Sequence, residues 1–264
     1  MNKLLRKEEC RIVANVQLAK NLWSMKFKAP EIIEEYFGAG QFISILVCDT
    51  WEHPLRRPMS IADVKGDCIS IIYKTVGAVT KSLAKMHPGD SINVLGPLGN
   101  TFTGWEDGRD SILVGGGVGL APMLNLHKMV KTSTIIIGAR TSEEHFLSHS
   151  PQEGIFLTTD DGSIGIRGTV IPTLESQVMS KQNPKIFACG PEPMLKAVQS
   201  FALENQIPTQ LSVESYMACG IGICQGCAIK KTEKEGIMRQ TYHEKYDLVC
   251  VNGPVFSAEE VTFD

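Results

Sequence analysis

Ser111-Ile112-Leu113-Val114-Gly115-Gly116-Gly117-Val118-Gly119-Leu120-Ala121-Pro122 decides how the middle of this chain folds. An apolar, β-branched run leads into a glycine cluster and then into an amphipathic stretch over 123–130. That order predicts strand, loop and helix, a junction where backbone N–H groups and the helix dipole can meet a pyrophosphate. Gly115 and Gly117 match the first two positions of G-x-G-x-x-G, with Gly116 and Gly119 beside them, but Leu120 occupies the third. The next strand, 134–140, ends in Arg140, and no acid follows it to take a ribose hydroxyl. The stretch reads as a nucleotide loop with an incomplete dinucleotide fingerprint.

Downstream the alternation continues. A strand at 154–162 ends in Asp160-Asp161-Gly162, a helix is expected over 168–177, a strand over 185–191 stops at Gly190-Pro191, and a helix follows over 193–204. Alternating strands and helices predict a parallel sheet, and ligands of such sheets sit beyond the carboxyl ends of the strands. The Gly115 loop, Asp160 and Cys189-Gly190-Pro191 all fall at such ends. Cys189 has two readings, a cofactor neighbour or a buried thiol plugging a strand end.

Further on, residues 217–227 read MACGIGICQGC, and a fourth thiol, Cys250, sits in CVNGPVF. The spacing Cys219-x4-Cys224-x2-Cys227 with a distant cysteine is that of plant-type [2Fe–2S] ligands. Glycines in the loop let backbone N–H groups point at the sulfurs, and a side chain at Gly220, Gly222 or Gly226 is expected to push that backbone away. A structural zinc site with four cysteine ligands is the competing reading. A disulfide framework suits a short secreted chain, and the start of this one turns acidic before any signal-type apolar core forms. The 22 residues between Cys227 and Cys250 include the charged run 230–235, read as a solvated hairpin or insertion.

Upstream lie short apolar runs at 9–17, 22–28, 41–48, 70–76 and 90–95 with turn residues between them, the pattern of a small antiparallel barrel with one helix over 78–86. Two places suggest more than packing. Arg57, Pro58, Met59 and Ser60 put a forked donor, a rigid ring and a hydroxyl at a strand lip, suited to pyrophosphate and a ring nitrogen. An exposed arginine followed by a strand serine explains the same residues without a ligand. Gly77 is expected to make a sharp turn into a helix whose first N–H groups could receive phosphate. Trp51, Glu52 and His53 form a loop with no assigned role.

The whole chain has 264 residues, 43% of them apolar and 21% charged, which suits two ordinary domains and an appendage. A net charge of −3 without a basic block argues against nucleic acid. No apolar run approaches the ~20 residues of a membrane span. Eight cysteines point to a reducing, cytoplasmic setting. Of the four outside the cluster motif, Cys10, Cys48, Cys68 and Cys189, three sit in strand-like contexts as small buried hydrophobes.

Taken in order, RRPMSI at 56–61, YKTVGAVT at 73–80, GPLGN at 96–100, GGGVGLAP at 115–122, TDDGSIGIRG at 159–168, ACGPEPML at 188–195 and the two cysteine segments resemble the ferredoxin–NADP reductase superfamily. Within it the chain is most similar to the electron-transfer subunits of dihydroorotate dehydrogenase B. The resemblance implies a multi-domain α+β and α/β protein. It has an antiparallel β-barrel flavin domain (1–104), a parallel α/β NAD-binding domain (105–208) and a small [2Fe–2S] domain (209–264). It implies FAD held through Arg57 at the phosphate and Ser60 at the ring, with Pro58 and Met59 beside them. Ile72, Tyr73 and Lys74 would line the flavin, and Gly77, Val79 and Thr80 would lie near its phosphates. The family usually has glycine where this chain has Val79.

The same resemblance frames NAD(H) with Gly115, Gly116, Gly117, Gly119, Cys189, Gly190 and Pro191, and ligates the cluster with Cys219, Cys224, Cys227 and Cys250. It implies an FMN-containing dihydroorotate dehydrogenase catalytic subunit as partner, two of each in a heterotetramer, in pyrimidine biosynthesis. It assigns no catalytic residue here, so the chain alone is expected to be inactive on dihydroorotate. The small subunit of an NAD(P)H–ferredoxin or sulfur-reducing oxidoreductase shares the architecture, and a zinc-stabilised nucleotide-binding regulator is the non-enzymatic alternative.

Overall fold

Six strands at the N-terminus close on themselves: β1 (Arg6–Ala19), β2 (Leu22–Lys28), β3 (Phe42–Leu46), β4 (Arg57–Lys65), β5 (Cys68–Lys74) and β6 (Ser91–Leu98) form an antiparallel barrel in the order β1-β2-β5-β4-β3-β6. The structure, a computed structural model, describes residues 4–47, 53–130, 132–233 and 240–263. The expected positions Cys48, Trp51, Glu52, Lys234 and Glu235 lie outside these. Side-chain alternation builds the barrel core: Met25 and Phe27 from β2, Ile43 and Ile45 from β3, and Ile69 and Ile71 from β5 all point inward. A tight β1–β2 turn places Asn21 at φ 58°, a left-handed conformation that asparagine tolerates. The lip expected at 56–61 is the beginning of a full nine-residue strand, β4.

Two short helices close the barrel. Pro30 opens α1 (Pro30–Glu34), which buries Ile32, and α2 (Ala78–Leu83) buries Leu83. The helix expected over 78–86 is shorter because its last residues switch to three-residue bonds, Lys85 N–H to Ser82 and Met86 N–H to Leu83, before Pro88.

The glycine-rich stretch folds as strand β7 (Asp110–Gly116), a 3-10 turn at Gly117–Gly119 and helix α3 (Leu120–Met129). Around β7 gather the parallel strands β8 (Ser133–Ala139), β9 (Ile155–Thr159), β10 (Ile166–Arg167), β11 (Pro184–Cys189) and β12 (Thr209–Ser212). Helices α4 (Val170–Met179) and α5 (Glu192–Glu204) lie opposite α3. The β7 run is continuously apolar because both of its faces are covered: Leu113 packs with α3, while Ile112 and Val114 pack with α4 and α5.

The C-terminal segment leaves β12 and returns as β15 (Val255–Ser257), antiparallel to it, so the sheet runs β10-β9-β8-β7-β11-β12-β15. Between them α6 (Tyr242–Lys245) precedes β14 (Tyr246–Leu248), and β13 (Ala228–Lys231), β14 and β16 (Val261–Thr262) make a small sheet. The barrel and the nucleotide sheet meet through α3. There the Asn125 amide donates to Tyr36 Oη at 2.7 Å and to the Ile61 carbonyl at 3.0 Å. No helix among the described residues is long and apolar enough to cross a membrane.

Candidate functional site

Where β4, β5, α2 and the carboxyl ends of β7, β11 and β12 converge, they enclose a cavity of about 420 Å³. Pro58, Met59 and Ser60 form one wall, Ile72, Tyr73 and Lys74 another, and Thr80 and Val76 the rim. Tyr73 is fixed from behind: its hydroxyl donates to Asn15 Oδ1 at 2.9 Å, and the Asn15 amide donates to the Leu83 and Met86 carbonyls. Burial pushes the Tyr73 phenol up to about 12, so it stays a donor at neutral pH. Asn15 had no signal in the sequence, being one polar residue in a strand.

The two adjacent arginines divide their work. Arg56 donates to the Ser44 and Asn93 carbonyls at 3.2 Å and to the Asn93 side chain, tying β4 to β3 and β6. Among the described residues Arg57 donates only to local carbonyls, Leu55 at 2.8 Å and Arg56 at 3.4 Å, and it sits just outside the cavity wall beside Pro58. It is therefore the arginine free to meet a phosphate.

Gly77 does not make the expected sharp turn. Its φ of −127° and ψ of −179° are extended, and a Cβ there would meet nothing within 4 Å, so its contribution is open space. The turn is held instead by Thr80, whose Oγ1 accepts the Val76 and Gly77 N–H groups at 3.0 and 3.1 Å. Val79 is buried and does not line the cavity.

A second cavity, about 480 Å³, lies beyond the carboxyl ends of β7, β8 and β9 and against the start of α4. Gly116, Gly117 and Pro191 line it, and Lys74, Gly117 and Pro191 also line the first cavity. Gly115, Gly119 and Gly190 stand behind the wall. A Cβ on Gly119 would lie 2.1 Å from the Cys189 carbonyl, so only glycine lets the loop approach β11. Leu120, in the third motif position, is a core residue of α3. Cys189 is a buried thiol, pushed up by burial, and it lines the first cavity rather than the second, where it was expected. Glu214 shares that wall, and burial raises its carboxyl above the usual range.

The second cavity has polar residues in its wall. Thr158, fully buried, is one of them, and its Oγ1 has no hydrogen-bond partner among the described residues. Arg140 stands at the end of β8, but the acid missing from the sequence pattern is supplied by Glu144, four residues on. Glu144 Oε1 accepts Arg140 Nη2 at 2.7 Å and Lys74 Nζ at 3.1 Å. The Arg140 bond lowers the Glu144 carboxyl, against burial and with help from Lys74, to about 2. Lys20 pairs with Glu143 at 2.5 Å, so two adjacent glutamates join the nucleotide sheet to barrel lysines.

The cysteine loop begins where Met217 leaves the first cavity. The Cys219 sulfur accepts N–H groups from Cys224 at 3.3 Å and Ile221 at 3.5 Å. Burial disfavours its thiolate, but these bonds prevail and bring the group down to about 6. Cys227 and Cys250 are buried with their sulfurs 3.2 Å apart, and the Gly222 N–H points at Cys250. Burial and then the Cys227 neighbour push Cys250 up. Gly220 and Gly222 adopt φ of 72° and 84°, as the loop needs. Gly226 does not: a Cβ there would meet only Cys224 Sγ at an ordinary 3.7 Å, so the steric reason expected for it is absent. Among the described residues no group of three or more His, Cys, Asp or Glu is arranged to hold a metal ion; the donor chemistry, thiols backed by inward N–H groups, is that of an iron–sulfur cluster.

The long gap before Cys250 folds back as β13 and β14, pairing Ala228 with Leu248, and the Val249 N–H donates to the Cys227 carbonyl at 2.9 Å. Asn100, in the loop after β6, holds the Cys250 turn: its amide donates to the Val255 carbonyl at 2.8 Å and the Asn252 carbonyl at 3.0 Å, and its Oδ1 accepts the Val255 N–H at 2.9 Å. Its place in GPLGN was the only hint of this role.

With this geometry in view, the likeness to known proteins is specific. Residues 214–262 match the family described as "Iron-sulfur cluster binding domain of dihydroorotate dehydrogenase B". The chain is 37% identical to a protein of Caldanaerobacter subterraneus subsp. tengcongensis named "Dihydroorotate dehydrogenase B (NAD(+)), electron transfer subunit", over 97% of this chain and 99% of that one. It is 35% identical to a protein of the same name from Fusobacterium nucleatum subsp. nucleatum, again over 97% and 99%. Among solved structures, an NADH-dependent reduced ferredoxin-NADP oxidoreductase studied for flavin-based electron bifurcation superposes with a TM-score of 0.83 at 28% identity, covering 100% of this chain and 92% of that chain.

Proposed function

This chain belongs to the family of dihydroorotate dehydrogenase B electron-transfer subunits, and we propose that it carries electrons between NAD(H), FAD and a [2Fe–2S] cluster, to or from a catalytic partner. The partner in this reading is a dihydroorotate-oxidising subunit containing FMN, assembled two-and-two with this chain, and the process is cytoplasmic pyrimidine biosynthesis. The observation that carries it is the first cavity, whose wall takes residues from all three parts of the chain: Tyr73 from the barrel, Cys189 from the nucleotide sheet and Met217 from the cysteine segment. The functional units in this reading are 1–104, 105–208 and 209–264.

A bound flavin exchanges a hydride with a nicotinamide and single electrons with an iron–sulfur cluster, which is why it belongs between them. The residues supply position and field. Arg57 and the backbone around Gly77, Val79 and Thr80 would hold the flavin phosphates. Ser60 and Tyr73 would flank the ring, with Ile72, Pro58 and Met59 excluding water. Gly116, Gly117 and Pro191 would admit the dinucleotide beside it, backed by Gly115, Gly119 and Gly190. Cys219, Cys224, Cys227 and Cys250 would hold the cluster, whose loop lies against the barrel: a Cβ on Gly220 would come within 3.7 Å of Leu98.

The ferredoxin-linked oxidoreductase likeness supports a second reading, in which the cofactors are the same and the partner is a ferredoxin-dependent subunit. An anaerobic visible spectrum with flavin and iron quantified tests the common core. About one FAD and two irons per chain, both bleached by NADH, are expected. A colourless protein holding one zinc overturns it. Reconstitution with a dihydroorotate-oxidising subunit then separates the partners: dihydroorotate-dependent NAD reduction must appear only with both subunits present.

A further inference from the structure

We propose that Glu144 sets the dinucleotide preference of this chain: by holding Arg140 in an ion pair it withholds that cation from a 2′-phosphate and selects NAD(H) over NADP(H). The proposal rests on the assignment of the 480 Å³ cavity to the dinucleotide. In sheets of this kind the end of the strand after the glycine loop is where the ribose 2′ position is read, by an acid for a hydroxyl or an arginine for a phosphate. Here that strand is β8, and both groups are present at its end. An arginine alone would announce the phosphate-bearing cofactor.

The geometry reverses that expectation. Arg140 Nη2 lies 2.7 Å from Glu144 Oε1, and Lys74 Nζ lies 3.1 Å from the same oxygen. One carboxylate therefore occupies both cations that line the cavity. The other charged side chain in the wall is Asp160, so the four formal charges cancel. A 2′-phosphate would bring close to two further negative charges into a wall with no net positive charge to receive them. It would also have to displace Glu144, whose side chain is only 18% exposed. Glu144 Oε2, which among the described residues accepts only the Arg140 N–H at 3.5 Å, remains able to accept a bond from a ribose hydroxyl.

Calorimetric titration of the oxidised holoprotein with NAD+ and with NADP+ tests this without turnover, since neither can reduce the flavin. The native protein is expected to prefer NAD+ by at least about tenfold. Glu144→Gln keeps an acceptor for the ribose but frees Arg140, and the preference should fall by about tenfold, through tighter NADP+ binding. Adding Arg140→Ala to Glu144→Gln should restore it. Arg140→Ala alone, at a side chain 73% exposed and so safe for folding, should move the ratio by less than about threefold, because Arg140 is already engaged. Equal native affinities, an unchanged ratio in Glu144→Gln, or a large loss of NADP+ binding in Arg140→Ala overturns the proposal while leaving the cavity assignment intact. If neither nucleotide binds, the cavity assignment fails and the proposal falls with it.

Discussion

The cysteine loop and the first cavity both suit redox groups, yet they are built in opposite ways. The loop is local: three thiols and their N–H donors come from eleven consecutive residues, 217–227, and Cys219 is hydrogen-bonded by its own loop. The cavity is assembled: its wall joins a barrel strand at Tyr73, a strand end at Cys189 and a crossing at Val213, each fixed by separate packing. A local site should fail one residue at a time. An assembled site should tolerate single changes in its wall but respond to whatever holds its parts together.

The largest expected effect breaks the loop alone. Cys224 is exposed, so Cys224→Ser should fold normally. Serine is a poor ligand for iron, and iron content should fall from about two per chain to near zero while FAD stays near one. Loss of flavin together with iron would show that the two sites are not independent.

Asn100 is where the comparison is sharpest, because the fourth thiol of the proposed ligand set, Cys250, lies outside the loop. Asn100→Ala removes three side-chain hydrogen bonds to the Cys250–Val255 turn and leaves the buried Val255 N–H without its acceptor. The expected cost is about 3 kcal/mol in a denaturant melt, with partial loss of iron. Unchanged iron in a destabilised protein would mean that the turn is held by β14 and β15 without Asn100.

Within the loop, two glycines should behave differently. Gly222 sits at φ 84°, and a Cβ there would come 2.7 Å from Val251 Cγ2, whereas Gly226 has neither constraint. Gly222→Ala should cost about 2 kcal/mol and weaken the Cys250 contact, while Gly226→Ala should stay within about 0.5 kcal/mol. Thermal melts of the two variants decide it. Equal costs would imply that the bound cluster, rather than backbone conformation, demands glycine at 226.

What could be read in advance follows the same division. The strand–glycine–helix order of 111–122, the barrel's short apolar runs and the cysteine spacing all encode local structure in residue type, and the fold and the presence of an iron–sulfur segment were legible from them. Glu144 was not, because its meaning depends on Lys74, seventy residues away on another sheet. Asn15 was silent, and Asn100 nearly so apart from its place in GPLGN, for the same reason: an asparagine supporting a distant carbonyl looks like any surface polar residue. Gly77 misled in the other direction, since glycine suggests a special backbone angle and here supplies only room.

The smallest expected effect concerns the strap that holds the assembled site together. The Arg140 bond depresses the Glu144 carboxyl from its usual 4.5 to about 2, burial opposing and Lys74 assisting. A group depressed on folding contributes stability that is fully present above its unfolded value and is lost as pH falls through the folded one. The Lys74–Glu144–Arg140 bridge should therefore hold at neutral pH, weaken below about 4.5 and be gone near 2. Denaturation midpoints taken across that range should fall less steeply for Glu144→Gln than for the native chain, with the two curves converging at the acid end. Parallel curves would mean that the bridge adds nothing to the docking of barrel and sheet, leaving the Asn125 bonds and the apolar contact of α3 with β4 to hold the cavity's walls together.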